Sequence, residues 1–126
     1  MFRFAISLAA LALATPSLAE GLPKRVGQCA TTKVQKIETR LVDGSNQPVK
    51  GSGSAVEFAN GGYQVSYDTV PAVEAARPGD AVKICLVSIP HPCPPGDKRG
   101  RVYATTDLRT KQSWTLPDAE HSCGGA

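Results

Sequence analysis

The strongest constraint on this chain is its set of four cysteines, Cys29, Cys85, Cys93 and Cys123. An even set in a short chain permits two disulfides with no thiol left over, and three ways of pairing them. Whether the thiols oxidise depends on compartment, since a cytosol keeps them reduced and an extracytoplasmic space does not. The first residues bear on that choice. "MFRFAISLAALALATPSLAE" carries one early positive charge at Arg3, an apolar run from Phe4 to Ala14, and Pro16 before Ser17-Leu18-Ala19. This is the charged region, apolar core and small-x-small site of a secretory signal peptide. The apolar run is about 11 residues, against the roughly 20 needed to cross a bilayer. Residues 1–19 are therefore expected to be a signal peptide cleaved after Ala19, with Glu20 where a lipid anchor would need cysteine. The protein is expected to be exported, periplasmic or secreted, with no transmembrane segment after cleavage. Two disulfides follow as the default reading of the cysteines in that compartment.

Sequence alone leaves the pairing open. A Cys85–Cys93 bridge would close a strand onto the loop that leaves it, and Cys29–Cys123 would tie together chain ends that often lie close in a domain. That set is preferred slightly over Cys29–Cys85 with Cys93–Cys123, which would pin the first strand to a central one.

Nine of the ten prolines lie after residue 19, and most glycines there cluster between short apolar stretches, a punctuation of strands and turns. Residues 20–28 are polar with Gly and Pro and read as a flexible arm, and residues 29–126 as a single β domain. In 31–42 Ile37, Thr39 and Leu41 alternate with Glu38 and Arg40, the pattern of a strand with one buried face. "SAVEFANGGYQVSYD" places Val56 and Phe58 before Asn60-Gly61-Gly62, and Tyr63, Val65 and Tyr67 after it, a strong hairpin signal. "VPAVEAA", residues 70–76, is the one candidate helix and "RPGD" its closing turn. "AVKICLVSI", residues 81–89, is apolar on both faces and reads as a central strand. "RVYATTDLRTKQSWTL" reads as a second hairpin turning at "DLRTK". Five or six short strands with at most one short helix give an all-β fold, a small antiparallel barrel or sandwich, with an OB-like barrel preferred.

The run "GGYQVSYDTVPAVEAARPGDAVKICLVSIPHPCPPGDKRGRVYATTDLRTKQSWTLPDAEHSCGGA", residues 61–126, resembles a group of small exported bacterial proteins of unknown function. The resemblance implies an exported single domain and brings no activity or site residue with it.

Several constellations bear on function. The only histidines stand in His91-Pro92-Cys93 and His121-Ser122-Cys123, and two His with two Cys supply the four ligands of a zinc site. The spacing is poor for a metal knuckle, and thiolates at Cys93 and Cys123 would have to persist where cysteines oxidise. No metal or other cofactor is expected. There is no Cys-x-x-Cys for thiol–disulfide catalysis. Ser52 in "GSGSA" lacks the flanking pattern of a nucleophile elbow, and only His91 and His121 could serve a nucleophile as base. A metal protein or small enzyme using those two histidines is the competing class; no catalytic residue is assigned.

The formal net charge is +3, or +2 once Arg3 leaves and 13 basic residues face 11 acidic ones. That bias is too weak to point to nucleic acid as a partner. The basic residues do cluster, however. Lys98, Arg99, Arg101, Arg109 and Lys111 surround one hairpin with Tyr103 and Trp114 among them, a composition that can grip and stack an extracytoplasmic anionic ligand, a polyanion or glycan. The opposing reading makes this a solvated hairpin with Trp114 in the core and Asp97 and Asp107 offsetting two charges. The expectation is a disulfide-stabilised β domain with a structural or binding role.

Overall fold

The computed structural model describes residues 20–125; residues 1–19, read above as a signal peptide, lie outside them. Six strands form one antiparallel sheet: β1 (Cys29–Thr39), β2 (Ser54–Phe58), β3 (Tyr63–Ser66), β4 (Ala81–Ser88), β5 (Val102–Asp107) and β6 (Ser113–Pro117), in the order β3-β2-β1-β4-β5-β6. Among the described residues there is one helix, α1 (Pro71–Glu74), four residues long and placed between β3 and β4. The all-β class is as the punctuation implied. The order is that of two three-stranded meanders joined through β1 and β4, curled as the expected small antiparallel barrel and open between β3 and β6 among the described residues.

One long strand makes the architecture. The first half of β1 pairs with β4, from Cys29 opposite Cys85 to Lys33 opposite Ala81, and the second half pairs with β2, from Val34 opposite Phe58 to Thr39 opposite Ser54. The register slips between Val34 and Lys36, where one extra residue sharpens the bend. The sheet therefore curls into a half-barrel until β3 lies against β6, with no ladder between them among the described residues.

Alternation decides what enters the interior. Ala30, Thr32 and Val34, then Val56 and Phe58, Val82, Ile84 and Leu86, Tyr103 and Trp114 are all buried, joined by Val73 of α1 and Ala76. The first helical position is Pro71, whose fixed φ suits a helix start. Val73, fully buried, is the reason so short a helix is held.

Among the described residues Gln64 is the only amide side chain buried in this core, and all of its bonding capacity is used. Its Nε2 donates to the carbonyls of Tyr103 at 2.8 Å and Leu116 at 3.0 Å, while Oε1 accepts from Thr105 Oγ1 at 2.6 Å and Trp114 Nε1 at 2.9 Å. One side chain on β3 thus grips β5 and β6 where backbone pairing does not close the barrel. Gly53 permits the other close approach: its φ is +119°, and a Cβ there would run into the carbonyl of Ser66.

Three expectations are corrected. The cystines are Cys29–Cys85 and Cys93–Cys123, not the preferred alternative. The reason is the register: Cys29 and Cys85 are direct partners on adjacent strands, 4.0 Å apart at Cα, so Cys85 bonds sideways across the sheet and cannot reach the loop beyond its own strand. Strand β4 is central, between β1 and β5, but only one of its faces is covered; Val87 on the other is 45% exposed. What looked like a second buried face is partly the cystine. Residues 20–28 lie against the sheet: Leu22 packs on the core, Gly27 N donates to Leu86 O at 2.9 Å, and Leu86 N donates to Gln28 O at 3.0 Å.

Candidate functional site

Beyond the barrel, residues 89–101 and 118–125 form a lobe with few core contacts. Proline-rich "PHPCPP" has few backbone N–H groups to give a ladder, so the chain leaves β4 as a loop. The Cys93–Cys123 bridge joins that loop to the tail across 30 residues. Further bonds fix it. Cys123 N donates to Arg99 O at 2.8 Å, and Gly100 N to Asp118 Oδ1 at 2.7 Å. Asp97 follows a Pro-Gly turn and accepts from Arg99 Nη2 at 2.9 Å and Gly124 N at 3.1 Å, while the same guanidinium reaches Gly125 O at 2.9 Å. The Arg99 guanidinium, with those N–H groups, holds the Asp97 carboxyl well below the usual carboxylate range. Burial instead pushes the Asp118 carboxyl up, against the pull of the Gly100 and Arg101 N–H groups and the Arg101 charge. At Gly100, φ is +101° and a side chain would collide with Ser122, so the loop and tail touch at their backbones.

The lobe is tied to the opposite half of the barrel as well. Arg40, at the end of β1, donates from Nη1 to Glu120 Oε1 at 2.8 Å and from Nε to Ser52 O at 2.6 Å, and lies 4.3 Å above the Tyr67 ring. Tyr67 Oη donates to the Glu120 carbonyl at 3.2 Å. An open cavity of about 660 Å³ lies on the lobe, lined by Pro95, Gly96, Asp97, Lys98, Arg99, Asp118 and Ala119. Its volume falls in the range of small-molecule sites.

The basic aromatic hairpin does not assemble as expected. Tyr103 and Trp114 are 3% and 5% exposed and belong to the core, so neither ring is free to stack a ligand. Lys98, Arg99 and Arg101 stand at one end of β5, Arg109 and Lys111 beyond the other. Arg109 is committed to Asp80, with Nε 2.7 Å from Oδ1, and Arg99 to Asp97. The physical reason is alternation: every second residue of β5 and β6 points inward, and the aromatics occupy those positions. Of the seven residues, Lys98 and Arg99 line the cavity. His91 and His121 are both exposed, in the lobe, and the cysteines beside them are bridged to each other. Among the described residues no group of three or more His, Cys, Asp or Glu could hold a metal ion.

Sequence reasoning passed over Asp118, Arg40, Tyr67 and Glu120. Asp97, following Pro-Gly, carried a local turn signal. Nothing local announces a pairing of Arg40 with Glu120, 80 residues apart.

Comparison with protein-family models, with curated proteins and with solved structures finds no match to this chain.

Proposed function

We propose that this chain is an exported, disulfide-stabilised β domain with a binding role, in which the half-barrel is scaffold and the loop–tail lobe is the contact face. Two cystines and an absence, among the described residues, of any helix long and apolar enough to cross a membrane fit such a protein. The signal-like pattern of residues 1–19 supports export to a periplasm or medium.

The observation that carries the binding role is where the second disulfide sits. Cys29–Cys85 fastens two paired strands, whereas Cys93–Cys123 fastens a loop to a tail that adds little to the core. Holding such a segment still lowers the ordering cost of binding through it. The test compares immobilised wild-type protein with a Lys98→Ala, Arg99→Ala variant and a Cys93→Ser, Cys123→Ser variant, using soluble periplasmic fractions and a glycan and peptide array as probes. The lobe variants should lose most of the retention that the wild type shows. Equal retention by all three would overturn the assignment of the face.

A further inference from the structure

The polar atoms around the lobe cavity can be accounted for one by one. Its charged lining is Asp97, Asp118, Lys98 and Arg99, and the rest of the wall is proline, glycine and alanine. Three of the four carboxylate oxygens are taken. Asp97 Oδ1 accepts from Arg99 N at 3.2 Å and Arg99 Nε at 3.0 Å, Asp97 Oδ2 from Arg99 Nη2 and Gly124 N, and Asp118 Oδ1 from Gly100 N. Asp118 Oδ2 alone has no donor in hydrogen-bond geometry among the described residues, and it is not sealed from solvent. Lys98 is exposed and enters no ion pair among them. An incoming molecule therefore meets one open carboxylate oxygen and one ammonium with its N–H donors unspent.

Charge then selects among ligands. Arg99 cancels Asp97, and Lys98 against Asp118 leaves the lining with no net charge. A polyanion would have to set a negative group beside Asp118, and that repulsion offsets the pull of Lys98. A polycation meets Lys98 in the same way. A hydroxyl answers both groups, since its O–H donates to the carboxylate and its oxygen accepts from the ammonium, with no charge of its own to desolvate.

A second observation lies just beyond the wall. Ala119 of the lining is followed by Glu120, whose carbonyl accepts from Tyr67 Oη at 3.2 Å. Tyr67 is 52% exposed, although the Arg40 guanidinium lies over its ring. Unlike Tyr103 and Trp114, this aromatic stands at the surface, an apolar ring with a polar tip of the kind that receives a ligand with both characters.

We propose that the lobe binds a neutral oligosaccharide, with sugar hydroxyls set between Asp118 Oδ2 and Lys98 Nζ in the cavity and a further sugar ring toward Tyr67. This rests on the lobe being the contact face and commits that face to one class of ligand.

The test follows amide spectra of the 15N-labelled protein during titration with trisaccharides of glucose, galactose and mannose, and with trisaccharides of the corresponding uronic acids. At least one neutral trisaccharide should shift the Gly96, Lys98, Asp118 and Tyr67 amides saturably, and should bind about tenfold more tightly than its uronic counterpart. Asp118→Asn keeps an acceptor for Gly100 N but removes the negative charge, so that preference should nearly vanish. Lys98→Ala, at an exposed position, should weaken the neutral sugar by about three- to tenfold. Uronic trisaccharides that bind as tightly as the neutral ones, or lobe amides that no neutral trisaccharide moves, would overturn the proposal. Should Asp118→Asn disturb the lobe, the wild-type preference and Lys98→Ala decide. Co-sedimentation with insoluble glucan or mannan, set against the soluble trisaccharides, tells a polysaccharide from a free sugar, and either result supports the class. Lobe variants that lose retention on the array while no neutral sugar moves the lobe leave the contact face standing and sink this inference; unchanged retention removes the face itself.

Discussion

Replacing Gln64 by leucine would test how the half-barrel is held shut. The substitution keeps roughly the same volume, so little cavity is created, and removes four hydrogen bonds at 2.6–3.0 Å. Two of those lost are donors left without an acceptor, Trp114 Nε1–H and Thr105 Oγ1–H; the Tyr103 and Leu116 carbonyls also lose a donor. A buried group left unpaired costs about 1–3 kcal/mol, so the two orphaned donors alone cost roughly 4 kcal/mol. Against a total stability of about 5–15 kcal/mol that is a large fraction, and the thermal midpoint should drop by roughly 15–30 °C. The chain has one tryptophan, Trp114, so urea unfolding followed by its fluorescence reports from the site itself. The indole N–H resonance should lose its exchange protection in the variant. A cost below about 1 kcal/mol, with that protection intact, would refute the claim that Gln64 joins β3 to β5 and β6.

Other substitutions probe separate parts. Gly53→Ala should destabilise by about 3 kcal/mol or more by denaturant titration, because φ is +119° and the new methyl meets the Ser66 carbonyl. Asp80→Asn should cost about 2 kcal/mol at neutral pH, with Arg109 half-exposed and screened. Asp80 is held low in the folded state, so the stability it contributes is present above the unfolded value near 4 and is lost as pH falls through and below it; the Asp80→Asn penalty should shrink in acid, as calorimetry across that window would show. Cys93→Ser with Cys123→Ser should cost about 3–4 kcal/mol through loop-closure entropy while leaving the protection of Trp114 unchanged in hydrogen exchange.

The readable parts of the fold were those set by local chemistry. Asn60-Gly61 marked the β2–β3 hairpin, although only Gly61 takes a positive φ, of 86°, in a turn closed by Gly61 N on Phe58 O. The "DLRTK" turn joins β5 to β6 where it was expected, and the helix forms inside residues 70–76. Long-range choices were not local. The pairing of cysteines depends on which strands are neighbours, and β1 lies beside β4 through a fold-back spanning 56 residues from Cys29 to Cys85. The basic aromatic hairpin misled because composition ignores side: Tyr103 and Trp114 share a stretch with Arg101 and Lys111 but occupy inward positions. Gln64 stands between Tyr63 and Val65 of the alternating apolar pattern, and nothing local marks it as buried. Its burial is a tertiary outcome, set by the curl that brings β3 against β6.

The arrangement separates two tasks. Cys29–Cys85 and Gln64 hold the half-barrel, while Cys93–Cys123, Asp97 and Arg99 hold a lobe outside it. That division is tested most directly by peptide mapping of the native protein without reduction. The account predicts one cross-linked pair containing Cys29 with Cys85 and another containing Cys93 with Cys123. Recovery of Cys85 joined to Cys93, or of free thiols at either pair, would contradict it.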